Sequence, residues 1–513
     1  MSDTKTIDLT EVDESQDGKS LYPFQEEAIA KISTKLNELE DNHNVLFQLP
    51  TGGGKTVIFS EIARRYIKST GKKVLILTHR IELCKQTSKM LTEFAVKNKI
   101  INSKVKAVSD NNDYMCFVAM VETLNNRLQD EKGTVNNVGL VIVDEAHYNS
   151  FRKLFKYFED VNILGVTATP LSSSIKLPMN ENYEELVIGE SISSLIKKGY
   201  LARATTFSYN VHLDSLKVGI NGDYTVKSSE QLYGNYMMQE KLLRAYEEKS
   251  QGKKTLIFNN GISTSFGVYD TFRNAGYEIQ HLDHHTTEQE RRDILKWFKE
   301  TPDAILTSVG ILTTGFDEPT VETIILNRAT RSLALYHQMI GRGSRILPNK
   351  KEFTVIDLGN NLHRFGLWES PVDWYHIFQA PHQYYDDLKS DENIERQFVY
   401  QMPDELRKKF SNSEDISFDV EGEYKKAMAQ MEHSKVVIQK SIDQHVEMCV
   451  ENAEDMWDAL DLAKLLEDDI RDRIKHYSYC TIKTTKNYLN WLEDDYKRRL
   501  NSQIRQAFVK KDA

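Results

Sequence analysis

Leu49-Pro50-Thr51-Gly52-Gly53-Gly54-Lys55-Thr56 limits what this chain can be more tightly than any other stretch. It follows the apolar run Val45-Leu46-Phe47 and precedes Val57-Ile58-Phe59-Ser60-Glu61-Ile62-Ala63, whose apolar residues recur at helical spacing. Strand, glycine loop and helix in that order form the setting in which backbone N–H groups cradle phosphates. Gly52, Gly53 and Gly54 let the backbone curl so that its N–H groups point inward at an anion. The helix that starts there adds its positive end. Lys55 can then reach β- and γ-phosphates, and the Thr56 hydroxyl can hold Mg²⁺. The pattern G-x-x-x-x-G-K-[ST] has glycine first, whereas this chain has Leu49. A glycine-rich turn before an ordinary helix is the plain alternative, and Gly-Lys-Thr between a strand and a helix argues against it.

From the helix expected to lead from Leu21-Tyr22-Pro23-Phe24-Gln25 to Ile32, short apolar runs alternate with helical stretches up to about residue 170. The runs are Val45–Phe47, Val74–Leu77, Leu140–Val143 and Ile163–Val166. This alternation predicts a parallel sheet covered by helices on both faces. A second alternating block follows a less regular bridge at 171–250. Its strand candidates are Thr255–Phe258, Ala304–Thr307, Thr323–Leu326 and Thr354–Leu358, with a helix at Glu288–Lys299. Beyond residue 366 the chain turns aromatic and irregular, with Trp368, Trp374, Tyr375, Tyr384 and Tyr385. From Glu421 it is rich in mixed charge and poor in glycine and proline, which predicts helices. The expected divisions are an acidic, disordered 1–20, α/β blocks at 21–185 and 186–365, a connector at 366–420 and a helical domain at 421–513.

Leu140-Val141-Ile142-Val143 runs straight into Asp144-Glu145-Ala146-His147. A carboxylate at the carboxyl end of a buried parallel strand, downstream of a phosphate loop, is placed to hold Mg²⁺ through water; that is Asp144. Glu145 can orient or deprotonate an attacking water. In the second block, Arg342 and Arg345 stand three apart on an expected helix, so both can face one way. Arginine stays charged and presents a planar fork to phosphate oxygens. Set across a cleft from Lys55, the pair would complete a site only when the blocks close.

Net charge is −10, so any phosphate-binding surface must be local. Cys84, Cys116, Cys449 and Cys480 are scattered without a CxxC, which suggests neither structural zinc nor a disulfide framework and fits a reducing compartment. No apolar run spans a membrane, and the start does not read as a signal peptide.

Asp-Glu-Ala-His after a phosphate loop resembles motif II of superfamily 2 helicases of the DEAH type. The remaining motifs of that family have counterparts in order. Thr78-His79-Arg80 with Glu82-Leu83 resembles motif Ia, and Val121-Glu122-Thr123-Leu124 stands at motif Ib. Thr167-Ala168-Thr169 resembles motif III, Leu256-Ile257-Phe258-Asn259 motif IV, and Thr313-Thr314-Gly315-Phe316-Asp317 motif V. Gln338-Met339-Ile340-Gly341-Arg342-Gly343-Ser344-Arg345 matches Q-x-x-G-R-x-x-R of motif VI. The resemblance covers residues 21–345 and implies two tandem RecA-like domains that bind ATP and Mg²⁺. It implies a nucleotide contact for Gln25, Gly315 and Asp317, and a γ-phosphate contact for Arg345 above Arg342. It also implies communication among Gln338, His147, Thr167 and Thr169, and nucleic-acid contacts at Arg80, Thr123, Thr313 and Thr314. The family commonly has arginine where Tyr22 stands, so stacking on adenine differs here.

Asp357-Leu358-Gly359-Asn360 followed by His363-Arg364-Phe365-Gly366 resembles the bacterial and phage group of RadD-type proteins and the helicase part of type I and III restriction enzymes. That group implies a cytoplasmic DNA helicase in a bacterium or phage-infected cell, with DNA favoured over RNA. RadD-type proteins usually carry a cysteine zinc site further on, and this chain does not. A duplex translocase or branch-migration enzyme, an RNA helicase and a nucleotide-gated binding module are the competing readings. His281, His284 and His285 raise a metal site, but no cysteine or carboxylate set accompanies them. Lys483, Lys486, Tyr488, Trp491 and Tyr496-Lys497-Arg498-Arg499 could stack bases and meet phosphates. Leu489, Leu492 and Leu500 favour a core-facing amphipathic helix instead. No protein partner of the C-terminal region can be read from its residues.

Overall fold

The structure is a computed structural model and describes residues 9, 20–38, 44–102, 113–129, 135–313, 315–395, 402–413, 416–481 and 485–511. The expected acidic segment 1–20 lies outside these apart from Leu9 and Ser20. The chain divides into two units, Met1–Ser390 and Asp391–Ala513. That division falls inside the expected connector 366–420.

The first unit holds two sheets. One is built from β1 (Asn44–Gln48), β2 (Lys73–Thr78), β3 (Asn98–Ile101), β4 (Cys116–Met120), β5 (Val138–Asp144), β6 (Asn162–Thr167) and β7 (Glu185–Ile188). The other is built from β8 (Arg203–Ser208), β9 (Thr255–Asn259), β10 (Ile279–Leu282), β11 (Ile305–Val309), β12 (Thr323–Asn327) and β13 (Glu352–Asp357). Their strand orders are β3-β4-β2-β5-β6-β1-β7 and β10-β11-β9-β12-β13-β8. Every pairing is parallel. Parallel neighbours need helical crossovers, so each sheet is covered on both faces and its central strands are apolar throughout. Val45, Leu46 and Phe47 of β1 and Leu140–Val143 of β5 are fully buried.

In the first sheet β5, β6 and β1 lie side by side. Their carboxyl ends therefore bring the glycine loop, Asp144-Glu145 and Thr167-Ala168-Thr169 to one edge. In the second sheet β11, β9 and β12 are neighbours, and the loops after them share an edge in the same way. Ligands bind outside the carboxyl ends of strands in open α/β sheets. The division expected after residue 185 falls within β7, which pairs with β1 in the first sheet and runs to Ile188.

Residues 366–390, beyond the second sheet, pack back on the first unit. Trp368 is fully buried with its ring edge-on to Phe353. Trp374 packs against His337, and Gln379 O accepts from Asn180 Nδ2 at 3.2 Å. The second unit is helical, with main helices Val420–Ala429, Lys435–Asn452, Met456–Lys464, Glu467–Cys480 and Lys486–Lys511. Its last helix buries Leu492, Tyr496, Leu500 and Ile504 at every fourth position, the core-facing reading of that segment. Trp491 is half exposed and stacks on Tyr488, while Lys483 and the side chain of Lys486 lie outside the described residues. No helix among the described residues is long and apolar enough to cross a membrane.

Candidate nucleotide site and the cleft between the sheets

The loop after β1 turns on Gly52 (φ 92°) and Gly54 (φ 88°), both in the left-handed region that glycine tolerates. Gly54 is also a close approach: a Cβ there would lie 2.6 Å from Gln25 Nε2. Gln25 is buried, and its Oε1 accepts from Tyr22 N at 3.0 Å, so the amide sits between the start of the chain's first helix and the loop. Leu49 replaces the usual glycine without opening a hole. Its side chain is fully buried, and Cβ atoms added at Gly53 or Gly189 would each come within 2.8 Å of it. Gly189 follows β7, so a second glycine supplies the room that the leucine takes. Lys55 opens the helix Lys55–Thr70, with Thr56 next on it, and Lys55 Nζ donates to Leu49 O at 3.3 Å. Burial pulls the Lys55 pKa down, while Glu145 and Asp144 oppose that pull.

Asp144 ends β5, and its Oδ1 accepts from Glu145 N at 3.0 Å. Burial and the adjacent carboxylate push Asp144 up to about 7, against Lys55. Glu145 adopts φ 52°, which turns its side chain out of line with the strand. Burial pushes Glu145 up as well, but Lys55, His147 and Arg342 hold it below the usual carboxylate range. Glu145 Oε2 is buried and accepts no hydrogen bond among the described residues. His147 Nδ1 lies 3.5 Å from that oxygen, and a buried lysine, a strand-end carboxylate and a second carboxylate with a free hydrogen-bonding position beside a glycine cradle fit a triphosphate with Mg²⁺.

A polar relay leads from this pair to the other sheet. Burial pulls the His147 pKa below its ordinary value, against Glu145. The Gln338 amide donates to His147 Nε2 at 3.3 Å, which leaves the proton on Nδ1 for Thr167 Oγ1 at 3.0 Å. Thr167 in turn donates to Thr169 O at 3.0 Å. The four residues expected to communicate are therefore in one hydrogen-bonded line.

Arg342 and Arg345 are not on a helix. The helix Leu333–Ile340 ends before them, and Gly341 at its end abuts the glycine loop: a Cβ there would lie 2.7 Å from Thr51 Cβ. Tight turns follow, with Arg342 N bonded to Met339 O and Gly343 N to Ile340 O. Arg345 spans the cleft. Its Nη1 donates to Gly52 O at 2.8 Å and its Nε to Asp317 Oδ1 at 2.7 Å. Arg342 donates to Phe316 O, and burial lowers its pKa to about 10, so it stays charged at neutral pH. Asp317, expected at the nucleotide, thus grips Arg345.

The residues expected to meet nucleic acid are placed as follows. Arg80 donates to Ile311 O (3.2 Å) and Gly310 O (3.4 Å) across the cleft. Gln86, which sequence reasoning missed, donates to Gly315 O at 2.6 Å. Thr313 is buried and caps its own turn through Gly310 O at 3.2 Å. Thr123 lies in the helix Val121–Gln129, and Thr314 lies outside the described residues. Tyr148 was also missed, and His79 was named only within the motif Ia stretch. Tyr148 stacks between His147 and His79, at 4.3 and 4.2 Å between ring centroids. Burial pushes His79 down to about 4. His281 is tied to Ser265 (2.9 Å) and Asp283 (3.2 Å) as a structural group. Among the described residues no three potential metal ligands gather.

Residues 18–172 match the family "Type III restriction enzyme, res subunit", and residues 237–347 match "Helicase conserved C-terminal domain". Two RecA-like domains with these two family matches are consistent with a superfamily 2 helicase of the restriction-enzyme type. It is 30% identical over 356 residues to "Putative ATP-dependent helicase IRC3" of Saccharomyces cerevisiae, covering 66% of this chain and 51% of that one. It is 28% identical over 340 residues to a 51.5 kDa protein of Lactococcus phage (isolate 7-9), covering 65% and 70%. A type I restriction enzyme EcoAI endonuclease subunit of Escherichia coli is 24% identical over 388 residues, covering 66% and 46%. The match thus spans about half of the yeast protein. A solved fragment of a "putative HsdR subunit of a type I restriction enzyme" from Vibrio vulnificus YJ016 shares the fold. Its TM-score is 0.51 at 20% identity, over 65% of this chain and 63% of that one.

Proposed function

We propose that this helicase-family ATP-dependent motor hydrolyses ATP in the cleft and uses its closing and reopening to move along DNA and separate strands. The observation that carries the reading is Arg345, which reaches from the second domain to the Gly52 carbonyl of the glycine loop while Asp317 holds its other side. Lys55 binds the β- and γ-phosphates, and the loop N–H groups fix their orientation. Thr56 and Asp144 would hold Mg²⁺, which supplies charge neutralisation between phosphate oxygens. Glu145, whose buried Oε2 accepts no hydrogen bond among the described residues, orients water and accepts its proton. Arg342 and Arg345 stabilise charge on the transferred phosphoryl group, an effect worth about 10³–10⁵ in rate for such fingers. Gln338, His147, Thr167 and Thr169 carry the state of that group to the edge where Arg80, Thr123, Thr313 and Thr314 would meet phosphates.

DNA is favoured because relatives carry the names of restriction endonuclease subunits. ATP turnover measured with single-stranded DNA, duplex, fork, four-way junction and RNA tests the reading. DNA should stimulate the rate, and forks should be displaced. Lys55→Ala or Glu145→Gln should abolish stimulated turnover in folded protein; near-normal turnover by Glu145→Gln would defeat the assignment. Stimulation without displaced strands would indicate a duplex translocase.

A further inference from the structure

Ile220 is fully solvent-exposed, more so than any other large apolar side chain among the described residues. It stands at the tip of an ordered hairpin, not in a loose loop. Val218 bridges Tyr224 in antiparallel fashion, Gly219 N donates to Asp223 O at 2.8 Å, and Thr225 N donates to Lys217 O at 2.8 Å. The turn closes with Gly222 N on Gly219 O, and Gly222 takes φ 82°. The root is fastened to the second sheet. Asp223 accepts from Arg331 N and Thr330 Oγ1, both at 2.8 Å, and pairs with Arg328 at 3.4 Å. Tyr224 is buried, and its hydroxyl accepts from Arg364 Nη2 at 2.7 Å.

Arg328, Thr330 and Arg331 follow β12, Arg364 follows β13, and Asn260, just after β9, donates to Tyr224 O at 3.3 Å. β9 lies between β11 and β12. The hairpin therefore rises from the carboxyl edge that also carries Thr313, next to the loop after β9. Lys217 and Lys227 are exposed beside it. A hydrogen-bonded stem, a bare Ile220 at its tip with half-exposed Val218 below it, and flanking cations suit DNA bases and phosphates together. Isoleucine is among the side chains that wedge between base steps and unstack them.

We propose that the hairpin Lys217–Thr225 is a wedge that enters the junction of forked DNA, with Ile220 against the last base pair and Lys217 and Lys227 on the backbone. This deepens the reading of the chain as a DNA motor and rests on it. The full chain, with a benzophenone photoprobe at position 220 and a non-hydrolysable ATP analogue present, is irradiated on a labelled fork. Cross-links should fall within about two nucleotides of the junction, the reach of a side chain wedged at one base step. Ile220→Ser should lower strand displacement about tenfold while ATP turnover stimulated by single-stranded DNA stays within about twofold of wild type, since the wedge acts on bases and not on the reacting phosphates. Cross-links that are absent or remote from the junction, or undiminished displacement by Ile220→Ser, would overturn the wedge and leave strand separation to be explained otherwise. Wild-type protein that turns over ATP on DNA yet displaces no strand would defeat the strand-separation reading alone; the junction cross-link would then still decide the wedge.

Discussion

Leu49 and Asp317 show what single positions hide. Leu49 stands where the phosphate-loop pattern has glycine, and the departure is legible in the sequence; its remedy, Gly189, is not, because the two meet only through the pairing of β1 with β7. Restoring the pattern should therefore do harm. Leu49→Gly removes a fully buried leucine, and we expect a loss of about 3 kcal/mol, seen as a lower thermal midpoint. Unchanged stability would mean that the packing around Gly189 relaxes freely. Arg345 was picked out by its motif as a residue facing the glycine loop, but its acidic partner stands 28 residues upstream and no local pattern joins them. Asp317→Asn keeps the shape and removes the charge that aims the guanidinium. We expect kcat for ATP to fall by about 10–100-fold with KM nearly unchanged, as for a misplaced catalytic group. The effect should vanish in an Arg345→Ala background, where there is nothing left to aim. Additive losses in the double variant would show that Asp317 acts by another route.

Among elements, the central strands were the readable ones, because parallel strands buried on both faces are continuous apolar runs. β3, β7, β8 and β10 were not: they are edge strands, and Arg203–Ser208 of β8 is partly exposed along its length; β4 was missed although it is central and buried, because its five residues Cys116–Met120 run straight into the helix Val121–Gln129. The helix expected to carry Arg342 and Arg345 stops at Ile340, and Gly341 at its end is set by close contact with Thr51, which no local pattern reveals. In the helical unit, periodicity gave the core face of Lys486–Lys511 but not the polar ring inside that core. There, buried His445 donates from Nε2 to Asp469 at 2.9 Å and accepts at Nδ1 from the Tyr496 hydroxyl at 3.0 Å. Arg473 forks onto Asp469 and also donates to Ser441, which bonds Tyr496. Burial and Arg473 push His445 down to about 4 from 6.5. The unfolded chain therefore takes up a proton near 6.5 that the folded unit refuses until about 4, and stability is lost as pH falls between the two. The full loss is about 3 kcal/mol. Asp469, held below its usual range despite burial, adds a further loss only at still lower pH. Calorimetry of wild type and His445→Gln from pH 7.5 to 4.5 should show wild type losing more; parallel curves would contradict a neutral, buried His445.

At the scale of the molecule, the two sheets are held together from both sides of the cleft. Arg80, Gln86 and the Glu82–Arg291 pair meet the second domain on one side, and the Trp374–Gln379 helix returns to the first domain on the other. The exposed Glu82–Arg291 pair contributes little by itself. The close approach at Gly341 and the part-buried bond from Arg345 to Gly52 O are what bring the proposed catalytic groups within reach of one another. The motif order made two domains legible, whereas Arg80, expected on nucleic acid, shows that the same surface also touches the partner domain. A motor requires that phosphate charge be sensed by both domains at once. The most direct test is single-turnover ATP hydrolysis by Arg345→Ala on saturating DNA, with nucleotide affinity measured alongside. We predict a rate about 10³-fold below wild type with affinity changed less than about tenfold, as befits a group that acts in the transition state. A rate within threefold of wild type would contradict a catalytic site completed across the cleft.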